Sequence, residues 1–391
     1  MNILLINDYL EGGGAEAVFR DQFDILRKDY DVDRFYAYAS FSDRKHAPFA
    51  YIYSTYWKRK LTAFLHKSPR FDRIIVHNYG GALSPSILDA LAQYKKKTAA
   101  KIIYYAHDFH LICPNRGYFY VRNGKTVNFQ QPPAIIGFIF KRLDYRGCVH
   151  SLLKKIQWIW AYPVGKKQTV FDLVLAPSDF LTGQIRQVYS SLIVQRMYNF
   201  CNALAVETEK MHTKKRDTLR LVYFGRIAKE KGLSEFITAL KSSPVNYTFT
   251  IIGEGEEEPR IQSLLSADSL KNKVFFKARM DASSLFPELL NYDVFVLASL
   301  WYENAPLSIV EAASLGLGLF LANHGGTLEI GRICRAIHFF DPADSTDIVA
   351  NMEDLYNDFV NDVLPKADKK QLQALFSKEV YMQNLKKYLD E

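Results

Sequence analysis

The chain has 391 residues, 48% of them hydrophobic, and a formal net charge of +8. That length makes two domains the natural expectation, the apolar fraction is ample for packed cores, and no run approaches the roughly 18 apolar residues of a membrane span. The four cysteines (113, 148, 201 and 334) show no close pairing pattern and suit a reducing cytoplasm, while the cationic excess points to an anionic partner: a nucleotide, a membrane surface or nucleic acid. The opening Met1-Asn-Ile-Leu-Leu-Ile-Asn7 lacks the basic start and cleavage site of a signal peptide and reads as the first strand of a domain. Gly12-Gly13-Gly14 and a helical pattern through Val18, Phe19, Phe23, Ile25 and Leu26 come next. Strand, glycine-rich turn and helix form the opening βα unit of a Rossmann-like domain, although the spacing is not that of a dinucleotide fingerprint.

Two further apolar strands, 71–77 and 101–106, flank a helix over 85–97, so the alternation implies a parallel sheet. They end in His77-Asn78 and His107-Asp108, and ligands of open α/β sheets bind at strand carboxyl ends; His107 therefore sits where chemistry is expected. His107-x2-His110-x2-Cys113 invites a metal reading, but a fourth ligand would have to be distant, and no metal is expected. Residues 109–170 interrupt the alternation as an insert. Asn123-Gly124 between aromatic and β-branched residues predicts a hairpin. From Lys141 to Lys167 there are seven Lys/Arg against one acid, Asp144, interleaved with Trp158, Trp160 and Tyr162. Such a segment fits a membrane-interface element or, equally, a lid that packs its aromatics inward. Tyr51 to Arg70, with Trp57-Lys-Arg-Lys60, is a second basic-aromatic stretch. Nucleic acid could use both, but no recognition fold is visible, so no nucleic-acid partner is expected.

A strand over 171–178, a helix from about Asp179 and a last strand over 191–199 complete a first domain, residues 1–200, and the polar stretch 201–218 reads as a linker. A second domain, 219–375, opens with the strand Leu219–Phe224 and the turn Gly225-Arg226-Ile227-Ala-Lys-Glu230-Lys231-Gly232. Two cations five apart across a strand-end turn can clamp a diphosphate, Arg226 by its fork and Lys231 as a point charge. A strand ending in Gly253-Glu254-Gly255 is next. After it come the apolar strand Asp293–Ala298 and then Ser299-Leu-Trp-Tyr-Glu303-Asn304-Ala305-Pro306-Leu307-Ser-Ile-Val-Glu311. Pro306 suits the first turn of a helix capped by Asn304 or Ala305, with Gly316 as its stop. Glu303 then lies in the strand-end loop and Glu311 on the second turn of the helix. The helix N-terminus between them is an anion site. A phosphate there, with a sugar at Glu303 and a ribose at Glu311, describes a nucleotide-sugar pocket.

The Glu303-x7-Glu311 arrangement, Gly225-Arg226 with Glu230-Lys231-Gly232, the Gly253-Glu254-Gly255 turn and Gly325-Gly326-x-x-Glu329-Ile330 occur in the order found in retaining glycosyltransferases of family 4, which the chain resembles. The likeness is strong over about 219–340 and moderate over 1–20 and 101–200. It implies an α/β protein of two Rossmann-like domains facing across a cleft, the GT-B glycosyltransferase fold, with a C-terminal helix, 376–391, crossing back to the first domain. It implies glycosyl transfer with retention from a nucleotide diphosphate sugar, a UDP-sugar by expectation, with no cofactor. The catalytic set would be His107, Glu303, Arg226 and Lys231. Donor contacts would come from Gly13, Gly14, Gly225, Gly253, Glu254, Asn304, Ala305, Pro306, Leu307 and Glu311. His107-Asp108, Cys113-Pro114-Asn115 and Tyr145-Arg146-Gly147 resemble inserts of members that build bacterial surface polysaccharides, which puts Asp108, Asn115, Tyr145 and Arg146 on the acceptor side. The acceptor would be a saccharide or lipid-linked saccharide, with peripheral contact at the cytoplasmic membrane face. Asn304-Ala305-Pro306-Leu307 departs from the Ser/Gly-Phe-Gly-Leu of many members, which bears on sugar choice. Two other readings stand beside this one: another twin-domain nucleotide-sugar enzyme, and a non-catalytic, membrane-associated nucleotide-sugar-binding subunit.

Overall fold

The computed structural model describes residues 1–43, 48–133, 135–206, 217–265 and 270–390. The chain forms two units, Met1–Met197 with Asn384–Glu391, and Tyr198–Gln383. Each is built on a six-stranded, wholly parallel sheet, as in two Rossmann-like domains.

The first sheet contains β1 (Asn2–Tyr9), β2 (Asp31–Tyr38), β3 (Arg73–Val76) and β4 (Lys101–Tyr105). A hairpin of β5 (Phe119–Arg122) and β6 (Lys125–Asn128) stands apart, and β7 (Leu173–Ala176) and β8 (Val194–Arg196) complete the sheet in the order β2-β1-β3-β4-β7-β8. Strands β1, β3 and β4 are unbroken apolar runs because helices cover both their faces, and Ile3 to Ile6 are wholly buried. Strand β2 escapes the sequence reading for the opposite reason. It is an edge strand whose exposed Asp31, Asp33 and Tyr36 are interspersed with half-buried residues, Arg34 among them, so no apolar run marks it. The hairpin turn is the expected Asn123-Gly124, both with positive φ (50° and 77°), the combination that matches strand twist in a two-residue loop. The final helix, Lys378–Asp390, starts two residues later than expected, and Arg73 Nε donates to the Leu389 carbonyl at 2.6 Å within this unit.

The second sheet contains β9 (Leu219–Phe224), β10 (Tyr247–Ile252), β11 (Val274–Lys277), β12 (Val294–Leu297), β13 (Gly318–Ala322) and β14 (His338–Phe340), in the order β11-β10-β9-β12-β13-β14. The strand order reverses between β9 and β12, the point at which open α/β sheets generally bind their ligands. Residues 201–206 are not linker. Cys201, Ala203 and Leu204 are buried in the core of this unit, and Cys201 N–H donates to the Phe376 carbonyl. Of the rest of the expected linker, 207–218, residues 207–216 lie outside the described residues.

Above the carboxyl edge of the second sheet, the loops after β9, β10, β12 and β13 pack backbone on backbone. Ile227 N–H donates to Glu254 O, Leu300 N–H to Glu230 O, and Gly326 N–H to Glu303 O, all at 2.8 Å. A Cβ at Gly326 would overlap the Asn304 carbonyl, and one at Gly253 would overlap the Gly225 carbonyl. Gly14, at the start of the helix Gly14–Leu26, has open space around its Cβ position. Gly326→Ala is therefore expected to cost about 1–3 kcal/mol or more, because backbone cannot yield as a side-chain tip does. Gly14→Ala is expected to be neutral or stabilising by up to about 1 kcal/mol. Urea unfolding of the two variants beside wild type checks both.

Candidate functional site

The loop after β12 carries Glu303, and its placement is electrostatic. Its Oε1 accepts from Lys231 Nζ at 2.6 Å, Ser299 Oγ at 2.6 Å and Trp301 Nε1 at 2.9 Å. Burial pushes this carboxyl up, but Lys231 and the two neutral donors outweigh it and hold the group below its ordinary range. All three donors converge on one oxygen, and no described residue bonds Oε2. Lys231 comes from the short turn Lys229–Lys231 after β9, so the β9 and β12 loops meet through this ion pair at the point where the strand order reverses.

Arg226, four residues earlier than Glu230, is held between two carboxylates. One of its Nη atoms pairs with the buried Glu230, and the other lies 3.5 Å from Glu256, whose side chain is largely exposed. Glu230 fixes one side of the guanidinium, and Glu256 lies against the other. The Tyr223 hydroxyl donates to the Arg226 carbonyl at 2.7 Å and fixes the turn from below.

The helix expected after Glu303 spans Leu307–Ser314. Pro306 is its cap, with φ −70° and ψ 106°, not a first-turn residue, so neither Asn304 nor Ala305 caps it. An extended ψ at the proline delays the helix by one residue, and Asn304, Ala305, Pro306 and Leu307 line its entry half-buried. Leu307 and Ser308 N–H groups find no acceptor among the described residues, which leaves paired amide donors at the positive end of the helix. Glu311 lies on the second turn. Its carboxyl makes no hydrogen bond among the described residues, and burial alone pushes it up to about 7. One motif thus holds two glutamates in opposite states, Glu303 clamped by cation and donors, Glu311 desolvated and unmatched.

Beside these, a cavity of about 250 Å³ is lined by Gly253, Glu254, Phe276, Lys277, Ala278 and Arg279. Glu254 and Arg279 form an exposed ion pair at its mouth, 3.1 Å apart. Gly225 stands exposed between this cavity and Arg226.

In the first unit, His107 lies at the carboxyl end of β4 as expected. Its Nε2 is 2.7 Å from His77 Nδ1, and His77 Nε2 is 2.8 Å from Gln22 Oε1. Gln22 Oε1 can only accept, so His77 carries its proton on Nε2 and its Nδ1 accepts from His107 Nε2–H. Burial pushes His107 down to about 3 and His77 lower than usual, so this chain of rings is neutral near pH 7. Asp8, at the end of β1, went unnoticed in the sequence. Its buried carboxylate accepts from the backbone N–H groups of Gly81, Ala82 and Leu83 at 2.7–2.9 Å and pairs with Arg116. The signal was present as Asn7-Asp8 at a strand's end. Gly13 and Gly14 are exposed, with Gly13 N–H bound by Glu16 Oε2 at 2.9 Å.

The insert residues are more committed than the sequence suggested. The Asn115 amide is consumed inside its own turn, donating to the Phe119 carbonyl and accepting from Gly117 N–H, and the residue is buried. Its geometry lends no support to an acceptor contact. Asp108 caps the turn Phe109–Leu111 and faces Arg116. Tyr145 bonds Thr126 and stacks on Phe119, while Arg146 pairs with Asp144 and is exposed. The ring nitrogens of His110 are taken by Gln157 and Tyr162, and burial pushes the Cys113 thiol up to about 12. Those commitments leave the His107/His110/Cys113 spacing without a shared point, and among the described residues no cluster of three His, Cys, Asp or Glu could hold a metal.

Residues 207–369 match the family described as group 1 glycosyl transferases. The amylovoran biosynthesis glycosyltransferase AmsK of Erwinia amylovora is 28% identical over 139 residues, covering 32% of this chain and 34% of that one. The 2-deoxystreptamine N-acetyl-D-glucosaminyltransferase of Niallia circulans is 26% identical over 166 residues, 42% of this chain and 40% of that one. The chain thus spans roughly a third to two fifths of the curated relatives it matches. Among solved structures, HepE of Anabaena in complex with UDP-glucose superposes with a TM-score of 0.64 at 15% identity, covering 100% of this chain and 99% of that one. The lipopolysaccharide outer core galactosyltransferase WaaB gives 0.63 at 15%, covering 99% and 98%. The fold is the GT-B fold of two Rossmann-like domains, and the sequence matches support a glycosyltransferase family.

The paired glutamates give two expected outcomes. Lys231→Met is expected to cost about 3–5 kcal/mol by stranding the Glu303 carboxylate, and Lys231→Met with Glu303→Gln to recover most of it; a double-mutant cycle in urea reads this. Glu311 is raised above its ordinary value of 4.5. Its favourable contribution is therefore present below about pH 4.5 and lost as pH rises through about 7. Glu311→Gln is expected to leave the melting temperature unchanged at about pH 5 and to raise stability at about pH 8 by about 1–3 kcal/mol, discounted for partial exposure.

Proposed function

We propose that the protein is a retaining glycosyltransferase. It moves a sugar from a UDP-sugar to a saccharide or lipid-linked saccharide acceptor in surface polysaccharide synthesis. One observation carries the reading: a helix start with unpaired amides stands between a clamped glutamate and an unmatched one, with two cations opposite. A diphosphate sugar satisfies every open valence of that arrangement. The diphosphate takes the Leu307 and Ser308 amides, Lys231 and Arg226. The ribose hydroxyls donate to Glu311, and charge-assisted bonds then repay its desolvation. The base enters the cavity beside Gly253 and Glu254. Glu303 Oε2 accepts from sugar hydroxyls while Oε1 stays locked to Lys231, which keeps the carboxylate ionised and in place.

In the reaction, the bond from the sugar's anomeric carbon to the phosphate oxygen breaks, and the electron pair leaves with the diphosphate. The acceptor oxygen attacks from the same face, and its proton passes to the departing phosphate oxygen, so configuration is retained. Arg226, Lys231 and the helix amides stabilise the charge that develops on the leaving group, in a site already arranged for it. A role for His107 toward the donor sugar rests on the resemblance alone; within its own unit the ring is neutral and held by His77. The charge on the diphosphate is met by these side chains in place of a metal ion. UDP as donor and polysaccharide as product draw support from HepE, solved with UDP-glucose, and from AmsK, named for amylovoran biosynthesis. Acceptor contacts from Asp108, Tyr145 and Arg146 rest on resemblance alone.

A thermal-shift panel with UDP, GDP, ADP and CMP tests the pocket, since a ligand that binds only the folded state raises the melting temperature. UDP is expected to give the largest shift and Glu311→Ala to abolish it. Arg226→Ala and Lys231→Ala are each expected to lower turnover by about 100-fold or more. No shift with any nucleotide would overturn the donor pocket, and a nucleotide shift without turnover would move the non-catalytic subunit to the front.

A further inference from the structure

The basic-aromatic insert has two faces that differ in composition. Phe138, Trp158 and Tyr162 point inward. Phe138 is buried against Phe129 and Trp158, and Tyr162 bonds Tyr79 and His110. The aliphatics point outward. On the helix Ile135–Ile139 the one buried residue is Phe138, while Ile136 is 68% exposed and Phe140, just beyond, 88%. On the helix Cys148–Ile159, Ser151, Gln157 and Trp158 are buried, while Val149, Leu152 and Ile156 are exposed at spacings of three and four, which places them in one stripe. Lys155 Nζ donates to the Ile139 carbonyl at 2.7 Å and ties the end of the first helix to the middle of the second, so the two apolar faces adjoin. A contiguous patch of this kind is uncommon on a soluble monomer, whereas isolated exposed apolar side chains need no explanation.

The charges around it have one sign. Lys141 lies over the Tyr120 ring at 3.9 Å, and Arg142 and Arg146 are exposed beside it. The single acid of the segment, Asp144, is already neutralised by Arg146 and Lys154. We propose that this face docks on an anionic lipid surface, with Ile136, Phe140, Val149, Leu152 and Ile156 entering the headgroup boundary and Lys141 and Arg142 meeting lipid phosphates. An anionic bilayer satisfies both halves of the patch at once. A second copy of the chain does not, because a two-fold contact would set the basic segment against itself. Among the described residues no helix is long and apolar enough to cross a membrane, so the contact is peripheral. Nothing in it depends on the donor pocket, and it goes beyond the enzymatic reading.

The test is co-sedimentation of the full chain with vesicles of phosphatidylcholine, alone and mixed with phosphatidylglycerol, at low and raised salt. Wild type is expected on the mixed vesicles, to come off as salt rises, and to leave neutral vesicles largely unbound. Ile136→Asp with Phe140→Asp, both solvent-facing, is expected to lower binding to mixed vesicles about tenfold or more while keeping the wild-type melting temperature and nucleotide shift. No binding by wild type overturns the proposal, as does binding that the double variant retains. Light scattering adds a third overturning result, a wild-type dimer that the variant dissolves. A nucleotide shift that fails in every protein while vesicle binding persists would sink the donor reading and leave this one standing.

Discussion

The candidate site of the second unit depends on bare backbone meeting bare backbone. Four loops leave strands β9, β10, β12 and β13 at the same edge, and parallel strands alone leave the spacing of such loops free. Here the spacing is set by N–H to carbonyl contacts between loops and by glycines that have no Cβ to hold them apart, Gly253 over the Gly225 carbonyl and Gly326 over that of Asn304. Once the loops are in register, Lys231 reaches Glu303, and the Leu307 helix start lies between the two glutamates. A methyl group at either glycine pushes a loop away and separates charges that are useful only a few ångströms apart.

On that floor, environment separates two like residues. Glu303 and Glu311 belong to one short stretch, yet one is held below its ordinary pKa and the other raised to about 7. The cause is a difference in neighbours: a cation and two neutral donors for the first, desolvation without a partner for the second. Opposite environments for paired carboxyls are how one fold assigns them different tasks. The first suits a fixed acceptor that must not move. The second suits an acceptor whose cost is repaid when a ligand supplies hydroxyl donors. Arg226 is likewise set by its neighbours, between a buried glutamate and an exposed one.

In the insert of the first unit, composition and structure put different residues on the outside. Trp158 and Tyr162 suggested a membrane interface because such rings are common there, yet both are core, filling space around His110 with their polar tips satisfied. The outward face is aliphatic, with one phenylalanine. The lid-like inward packing and the apolar exterior therefore coexist, one on each side of the same two helices. In the other basic stretch Trp57 and Phe64 pack likewise against Phe35 of β2, while Tyr56 is exposed.

Periodicity by itself determined the parallel alternation, because strands buried on both faces must be apolar throughout. It also placed His107, Arg226, Gly253 and Glu303 at strand ends, since a loop begins where an apolar run stops. The Asn123-Gly124 hairpin was legible because only that turn accepts two positive φ angles without strain. Edge strand β2 was not, because a strand with one wet face need not be apolar. Nor was the role of residues 201–206, whose burial comes from contacts with Phe376 far along the chain. The cap at Pro306 was misread by one residue, because the proline ring fixes φ and leaves ψ to the surrounding packing. Only the tertiary structure decided which donors converge on Glu303, that Glu311 stands unmatched, that Asp8 grips three backbone amides, and that His107 is held by His77 and Gln22. Each joins residues distant in sequence, and charge, burial and hydrogen bonding act through space, where sequence spacing carries no distance.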